Sequence, residues 1–315
     1  MRRLLVLLAL AAAGCGGGDD RADPPVVTVG LDFTPNAAHA GLYAAARRAP
    51  GADVRVQVRP PGGGSPDSLR LLTTGRVDMA VLDIHDLGLA LERGADVVAV
   101  GALVQRPLAA VIARADSGVR RPRDLEGRRA GVAGLPSDDA VLRAVVEQDG
   151  GRFGRVRRVT IGFSAVANLL AGRVDAATAF WNAEGVVLRE RGLRTREFRV
   201  DEFGAPRYPE LVLVVTRETL ADRRDDLGAA LRAIATGTEA ALADRAGTVG
   251  AIAAASDADE ELVRAQLEAI APALRPAVTL RRAAVDGWAR FAADFGILER
   301  EPDVDRAFEF DLYSR

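Results

Sequence analysis

Short apolar, β-branched runs alternate with segments of helical periodicity along most of the chain. Strand-like runs lie at 26–33, 54–58, 77–82, 97–104, 108–113, 129–133, 156–162, 174–180, 195–200 and 211–216. Helical segments lie between many of them, at 37–48, 65–74, 137–148, 164–171 and 183–191. Strands that alternate with helices form βαβ units, so the pattern predicts an α/β fold with mostly parallel sheets. A long helical tail is expected after the last strand.

The tetrapeptide Gly-Arg-Val-Asp occurs twice, at 75–78 and at 172–175. Each copy is predicted to end a helix at its glycine and to begin a strand. The offset of the copies is too long for a solenoid repeat, and a chain of 315 residues has room for about two domains. The repeat therefore predicts two similar lobes.

Composition removes several function classes. The formal net charge is −2, which does not fit the basic surface of a nucleic-acid-binding protein. All 42 basic residues are arginine. The absence of lysine excludes an amine nucleophile, a pyridoxal Schiff base and a P-loop.

The N-terminus has the anatomy of an export signal. Two arginines precede an apolar run of signal-peptide length, and small residues lead to Cys15, the single cysteine. This pattern resembles a bacterial lipoprotein signal, which implies a signal peptide at 1–14, lipid on Cys15 and a flexible tether at 15–25. The alternative is a simple secretory signal in which Cys15 has no role. Intramolecular disulfides are excluded, because there is no second cysteine.

The segment 31–41 reads LDFTPNAAHAG, at the predicted end of the first strand and the start of a helix. Carboxyl ends of parallel strands face the ligand crevice in α/β sheets. The segment resembles the first motif of the thiamine-biosynthesis-like branch of the solute-binding proteins of ABC importers, with Phe33 in place of a tryptophan. The resemblance implies ligand contacts from Asp32, Phe33, Asn36 and His39. The alternative is that Asn36 only caps the helix and His39 packs on its face.

Four further segments resemble the same branch in the same order. They are VQRPL at 104–108, GLPSD at 134–138, FWNAEG at 180–185 and PRYPEL at 206–211. The candidate ligand residues that they add are Gln105, Ser137, Asp138, Trp181, Asn182, Glu184 and Tyr208. In the GLPSD turn we expect exposed backbone N–H groups that hold an acceptor.

The resemblance implies a two-lobed, type II periplasmic-binding-protein-like fold with a hinge of two crossing segments and a ligand cleft between the lobes. Lobe one is expected at 26–106 and 215–315, lobe two at 107–207, and the second hinge crossing at 208–214. Prolines beside apolar strands place the hinge candidates at 104–112 and 205–214. In the tail, Trp288, Phe291 and Phe295 have helical spacing and are expected in the core.

The implied function is that of an extracytoplasmic, lipid-anchored and monomeric binding protein without a cofactor. It would bind a thiamine pyrimidine precursor and deliver it to the permease and ATPase subunits of an importer. Glu184 would accept the N–H groups of the aminopyrimidine and Trp181 would stack on its ring. The alternative for Trp181 is packing between the lobes.

Other functions stay open at this stage. Segment 82–86 departs from the family and contributes Asp83 and His85, so the cargo could instead be riboflavin or an anion such as a sulfonate or nitrate. Arg106, which replaces a histidine, fits an anion. Zinc bound through both histidines and nearby aspartates is a further alternative, although no common zinc motif is present. An enzyme similar to the pyrimidine synthases is disfavoured, because that chemistry needs lysine.

Overall fold

The computed structural model describes residues 23–47, 53–62 and 68–313. The predicted signal peptide, Cys15 and most of the tether lie outside the described residues. The strands are β1 Val26–Gly30, β2 Arg55–Arg59, β3 Met79–Asp83, β4 Val97–Ala102, β5 Ala109–Arg114, β6 Arg129–Val132, β7 Arg157–Thr160, β8 Ala176–Phe180, β9 Thr195–Arg199 and β10 Leu211–Thr216. The helices are α1 Ala40–Ala46, α2 Ser68–Thr73, α3 Ile84–Glu92, α4 Pro136–Gln148, α5 Ala165–Leu170, α6 Glu184–Glu190, α7 Arg217–Asp222, α8 Arg224–Ala243, α9 Arg245–Ser256, α10 Glu260–Ile270, α11 Arg282–Asp294 and α12 Val304–Ala307.

The strands form two five-stranded sheets with the same plan. The first sheet has the order β2-β1-β3-β10-β4 and the second has the order β7-β6-β8-β5-β9. In each sheet the fourth strand, β10 or β5, is antiparallel to both neighbours, and the remaining strands share one direction. The predicted α/β fold with mostly parallel sheets is confirmed.

The chain passes between the sheets twice. The first crossing, residues 103–108, joins β4 to β5, and the second crossing, residues 200–210, joins β9 to β10. Each antiparallel strand therefore directly follows a crossing. Residues 109–112 and 211–214, which the sequence placed in the hinge segments, are strand residues in β5 and β10.

The two crossings are bound to each other. The Leu103 N–H donates to the Leu211 carbonyl over 2.8 Å, and the Glu210 N–H donates to the Val104 carbonyl over 3.0 Å. Backbone pairing of this kind holds the two segments of the chain side by side where they pass between the sheets.

The C-terminal helices cover the first sheet. α8 packs along α1, and α11 carries Trp288 into the core, where it is fully buried beside α3. Phe291 is 4% exposed and stacks on Phe295 at 4.7 Å, so Trp288 and Phe291 are core, as predicted, whereas Phe295 is partly buried against it. The sequence analysis did not predict α3, because His85 and Asp86 interrupt its short apolar pattern.

Candidate functional site

Asp32 and His39 form one unit at the carboxyl end of β1. Asn36 caps a short 3₁₀ helix, Ala37–His39, with its side-chain oxygen on the Ala38 N–H. The Asn36 N–H donates to His39 Nδ1, so the ring proton lies on Nε2. The His39 Nε2–H then donates to Asp32 Oδ1, with 2.8 Å between the nitrogen and the oxygen. His39 is fully buried, whereas the Asp32 side chain is 22% exposed. His39 therefore orients Asp32, and Asn36 is used as a cap.

Phe33 lies in the same loop and is 49% exposed. A large apolar side chain at this edge, beside an oriented carboxylate, fits a flat ligand with polar substituents.

Asp83, which is partly buried, and Glu210, which is buried, form a carboxyl pair at the carboxyl end of β3. Glu210 is 1% exposed, and its Oε2 accepts the Leu108 N–H of the first crossing over 2.9 Å. The charge of Asp83 acts on Glu210, and burial disfavours a charge there. Two carboxyl groups placed in this way resist double ionisation, so the pair favours a bound proton.

Burial is the main cause of that protonation. It raises the pKa of Asp83 to about 6, with the charge of Asp32 adding to the shift, although the His85 N–H on its Oδ1 opposes it. Burial also raises the pKa of Glu210 well above its usual range, and the nearby charge of Asp83 raises it further. Glu210 was missed at the sequence level; a glutamate directly before an apolar strand in a predicted hinge was the available signal.

His85 and Tyr208 lie in the core. The Trp288 Nε1–H donates to His85 Nδ1 over 3.0 Å, so His85 Nε2 carries the proton, 3.1 Å from the Tyr208 hydroxyl. Burial lowers the pKa of His85 to about 3 and raises the pKa of Tyr208. This series of hydrogen bonds between uncharged groups joins α3, the second crossing and α11. Both His85 nitrogens are engaged, and the described residues contain no group of three or more possible ligands placed to hold a metal ion.

Gln105 is also used by the fold. It is 6% exposed. Its backbone N–H donates to the Ala273 carbonyl over 2.7 Å, and its side-chain amide donates to the Thr279 carbonyl over 3.0 Å. These bonds attach the first crossing to the C-terminal segment.

The turn before α4 differs from the expectation. The Gly134 and Leu135 N–H groups, predicted to be exposed for a ligand, both donate to Asp138 Oδ2 over 2.9 Å. Asp138 Oδ1 accepts the Thr178 hydroxyl. An aspartate three residues into a helix commonly folds back in this way. Ser137, the second residue of α4, is partly exposed.

Trp181, Asn182 and Glu184 follow β8. The Trp181 indole is 2% exposed, donates to the Pro107 carbonyl over 3.0 Å, and has the Arg199 guanidinium 4.1 Å from its ring. Asn182 is 2% exposed, and its Oδ1 has no hydrogen-bond partner among the described residues. Glu184 accepts the Phe180 N–H over 3.0 Å, and burial raises its pKa.

The crossings bring these groups together. Asp32, His39, Asp83 and Glu210 lie at the carboxyl edge of the first sheet, and Trp181, Asn182 and Glu184 lie at that of the second. Trp181 and Glu210 both bond to the first crossing, at Pro107 and Leu108 respectively. His85 and Gln105 lie among packed core residues.

An open depression of about 540 Å³ lies along β6, β7 and the start of α4. Leu135, Pro136 and Thr160 are among its lining residues, but Asp32, Trp181 and Glu184 are not. We therefore place the candidate site by the polar groups at the carboxyl edges of the two sheets, next to the first crossing, and not by this depression.

Two sheets of this topology, joined by two crossings, define the periplasmic-binding-protein fold, and solved structures agree. The ligand-binding component of an ABC-type import system from Staphylococcus aureus, solved with zinc bound, matches with a TM-score of 0.71 at 15% identity, over 92% of this chain and 98% of that one. The aliphatic sulphonate-binding protein of Escherichia coli matches with a TM-score of 0.71 at 17% identity, over 90% and 92%.

The chain belongs to the NMT1/THI5-like family, whose model matches residues 36–246. A formylaminopyrimidine-binding protein from Halalkalibacterium halodurans is 31% identical over 238 residues, which are 75% of this chain and 72% of the relative. The resemblance to the thiamine-biosynthesis-like branch, inferred from the five motifs, is confirmed.

Proposed function

We propose that this protein is the solute-binding component of an ABC importer and that its cargo is an aminopyrimidine precursor of thiamine. The observation that carries the proposal is the 31% identity to a formylaminopyrimidine-binding protein over three quarters of the chain. The family model supports it, because the matched region contains Asn36, Glu184 and Glu210.

The chemistry of the carboxyl edges of the two sheets supports the same cargo. Asp32, Glu184 and the unpartnered Asn182 Oδ1 are hydrogen-bond acceptors, and an aminopyrimidine has N–H donors. A buried acceptor without a partner is costly in the free protein, so a ligand N–H that reaches it gains affinity. Phe33 supplies an exposed ring for a planar ligand.

A sulfonate or nitrate fits these edges less well, since an anion needs donors. The Gly134 and Leu135 N–H groups are occupied by Asp138, and Arg106 is paired with Asp201 at 2.7 Å. Riboflavin, a larger heteroaromatic compound, remains the second candidate for the cargo, because Phe33 would suit either ring.

In this proposal the two sheets form lobes, at 26–106 with 215–315 and at 107–207, and close on the ligand about the crossings. The protein acts outside the cytoplasm, without catalysis, and passes the solute to a permease. It is attached to the membrane through lipid on Cys15. No helix in the described part of the chain is long and apolar enough to cross a membrane.

The test of cargo is a thermal-shift and calorimetric panel of formylaminopyrimidine, riboflavin, taurine, nitrate and Zn²⁺. A ligand at about 100 times its Kd stabilises the native state by about 2.7 kcal/mol, which raises the melting temperature measurably. We expect a shift with the aminopyrimidine. A shift with riboflavin or an anion alone contradicts the proposed cargo.

Glu184→Gln is the matched variant for the recognition step. The amide keeps the size of the side chain and an acceptor for the Phe180 N–H, but it removes the charge that strengthens a bond to the ligand amine. We expect Kd to rise about tenfold or more with the melting temperature of the free protein kept. Unchanged affinity removes Glu184 from the site.

Lipid attachment has its own test. Mass spectrometry of the protein isolated from membranes should find a diacylglyceryl mass on Cys15 and no residues before it. Cys15→Ala should release the protein from the membrane fraction. An uncleaved chain, or one cleaved elsewhere, contradicts the lipoprotein assignment.

A further inference from the structure

Exposed large apolar side chains gather at the edges of the sheets where ligands would bind. Among the described residues they are Phe33 at 49%, Leu135 at 46%, Val159 at 38% and Phe163 at 76% exposure. Phe33 follows β1, Leu135 follows β6 and Phe163 follows β7, so three of the four lie just beyond the carboxyl end of a strand. Single exposed apolar residues are common on protein surfaces, but this shared location needs an explanation.

The turn that carries Phe163 is held in place by the second sheet. The Ile161 N–H donates to the Val132 carbonyl over 2.9 Å, and the Ile161 side chain covers Gly131, where a Cβ would collide with it. Gly162 then adopts φ +56° and reverses the chain.

The far side of the turn is fixed as well. The Ser164 hydroxyl donates to the Ile161 carbonyl, and the Asn168 amide of α5 donates to the Ser164 carbonyl over 2.9 Å. Because its backbone is held on both sides, Phe163 presents its ring from a defined position.

Most other aromatic rings of the second lobe are already covered. Arg199 lies over Trp181, Arg158 lies over Phe153 at 4.7 Å, and Phe198 packs edge-on against Phe203. Phe180 is partly buried against the core. Among the described residues, the exposed aromatic ring at the carboxyl edge of the second sheet is therefore Phe163.

We propose that Phe163 is a ligand-contact residue, the second-lobe side of an aromatic clamp that closes over a planar heteroaromatic solute whose opposite face rests on Phe33. This inference rests on the proposed function and adds to it the residue by which the second lobe holds the ring. It also gives Trp181 a different role, that of fixing β8 to the first crossing.

Phe163→Ala tests the clamp. The side chain is mostly exposed, so we expect the melting temperature of the free protein to be unchanged, and Kd for formylaminopyrimidine to rise about tenfold, mainly through faster dissociation. Phe163→Trp should keep the affinity and should show a ligand-dependent change in fluorescence emission that the parent protein lacks. Calorimetry gives Kd and stopped-flow mixing gives the dissociation rate.

Val159→Ala is the matched control, since Val159 is an exposed apolar residue of β7, the strand that Phe163 follows, and lies before its carboxyl end. It should leave Kd unchanged. Equal affinity of the parent and Phe163→Ala, or an equal loss in Val159→Ala, overturns the clamp and leaves the proposed function intact. If the parent binds no aminopyrimidine, the proposed function fails, and the clamp fails with it unless riboflavin binding depends on Phe163 in the same way.

Discussion

The two copies of Gly-Arg-Val-Asp make the same backbone contacts in the two sheets, but their aspartates are paired with arginines from different parts of the chain. Asp78 accepts the Thr28 N–H of β1 over 2.7 Å, and Asp175 accepts the Arg129 N–H of β6 over 2.9 Å. Each aspartate also donates its own N–H to the carbonyl of that same residue. The motif thus fixes the register of two parallel strands.

The arginine that pairs with the aspartate lies in a different part of the chain for each copy. Asp175 is paired with Arg129 of the adjacent strand, and the Arg129 side chain is 48% exposed. Asp78 is paired at 2.6 Å with Arg223, just before α8, which also donates to the Val26 carbonyl. The second sheet is therefore built from one continuous segment, whereas the first depends on the C-terminal part of the chain.

Trp288→Ala tests that dependence most severely. The substitution leaves a large cavity beneath α11 and an unpaired His85 nitrogen, so we expect a loss of about 4 kcal/mol in the free energy of unfolding. Hydrogen exchange should show weaker protection in β3 and β4, with less change in β6 and β8. The measurement is urea unfolding combined with exchange.

Phe198→Ala is the counterpart in the second sheet, where Phe198 is 6% exposed. It should weaken protection in β5 and β9 first. If both variants weaken both sheets to the same extent, the sheets unfold as one unit and the proposed difference in support is absent.

Asp78→Ala and Asp175→Ala compare the two copies directly. The first substitution leaves the Thr28 N–H without its acceptor and removes one carboxylate from Arg223, which keeps Asp226 and the Val26 carbonyl, and we expect a cost of about 3 kcal/mol. The second leaves the Arg129 N–H without its acceptor beside an arginine side chain that is half in solvent, and a cost of about 1.5 kcal/mol is expected. Asp78→Asn, which keeps an acceptor for the Thr28 N–H, should cost less than Asp78→Ala. Equal costs for the two alanine variants contradict the assignment.

The carboxyl edges also differ, because the first sheet holds the Asp83–Glu210 pair and the second holds Glu184. A carboxyl group whose pKa is raised in the folded state binds more protons there than in the unfolded chain, so stability falls as pH rises between the two pKa values. For Asp83 this window runs from about 4 to about 6, and for Glu210 it extends higher.

Glu210→Gln should remove most of this dependence. The Gln amide can accept the Leu108 N–H and donate to Asp83 without a shared proton. We expect little change at pH 5 and a gain of about 2 kcal/mol at pH 8, measured by urea unfolding at both values. A loss of the same size at both pH values contradicts a protonated pair.

Local sequence signals predicted the fold well. Apolar periodicity located the strands of the described residues within a few positions, and one copy of the repeated tetrapeptide precedes a strand in each of the two sheets. The antiparallel direction of β5 and β10 could not be predicted from the sequence. The direction of a strand depends on the position at which the chain enters the sheet after a crossing. Long-range partners such as Arg223 with Asp78 were hidden for the same reason.

The site was predictable by residue type but not by role. The motifs selected Asp32, Asn36 and His39, and the alternative in which Asn36 caps the helix is the one that the structure shows, whereas the bond from His39 to Asp32 had no sequence signal. Phe163 was not predicted, because a lone phenylalanine in a Gly-Phe-Ser turn gives no sequence signal of exposure. His85 illustrates the opposite case, a polar residue whose partners Tyr208 and Trp288 come from distant parts of the chain.

The glycines of the repeat provide the finest test of equivalence. Gly75 has φ +67° and Gly172 has φ +64°, and no atom lies closer than 3.7 Å to a Cβ built at either position. Alanine at either site therefore introduces backbone strain without a steric clash, and each variant should lose about 1 kcal/mol in urea unfolding. The two costs should agree within about 0.5 kcal/mol, even though the Asp78 and Asp175 variants differ. A clearly larger cost at Gly75 would show that the C-terminal helices constrain the whole turn of the first copy and not only its aspartate.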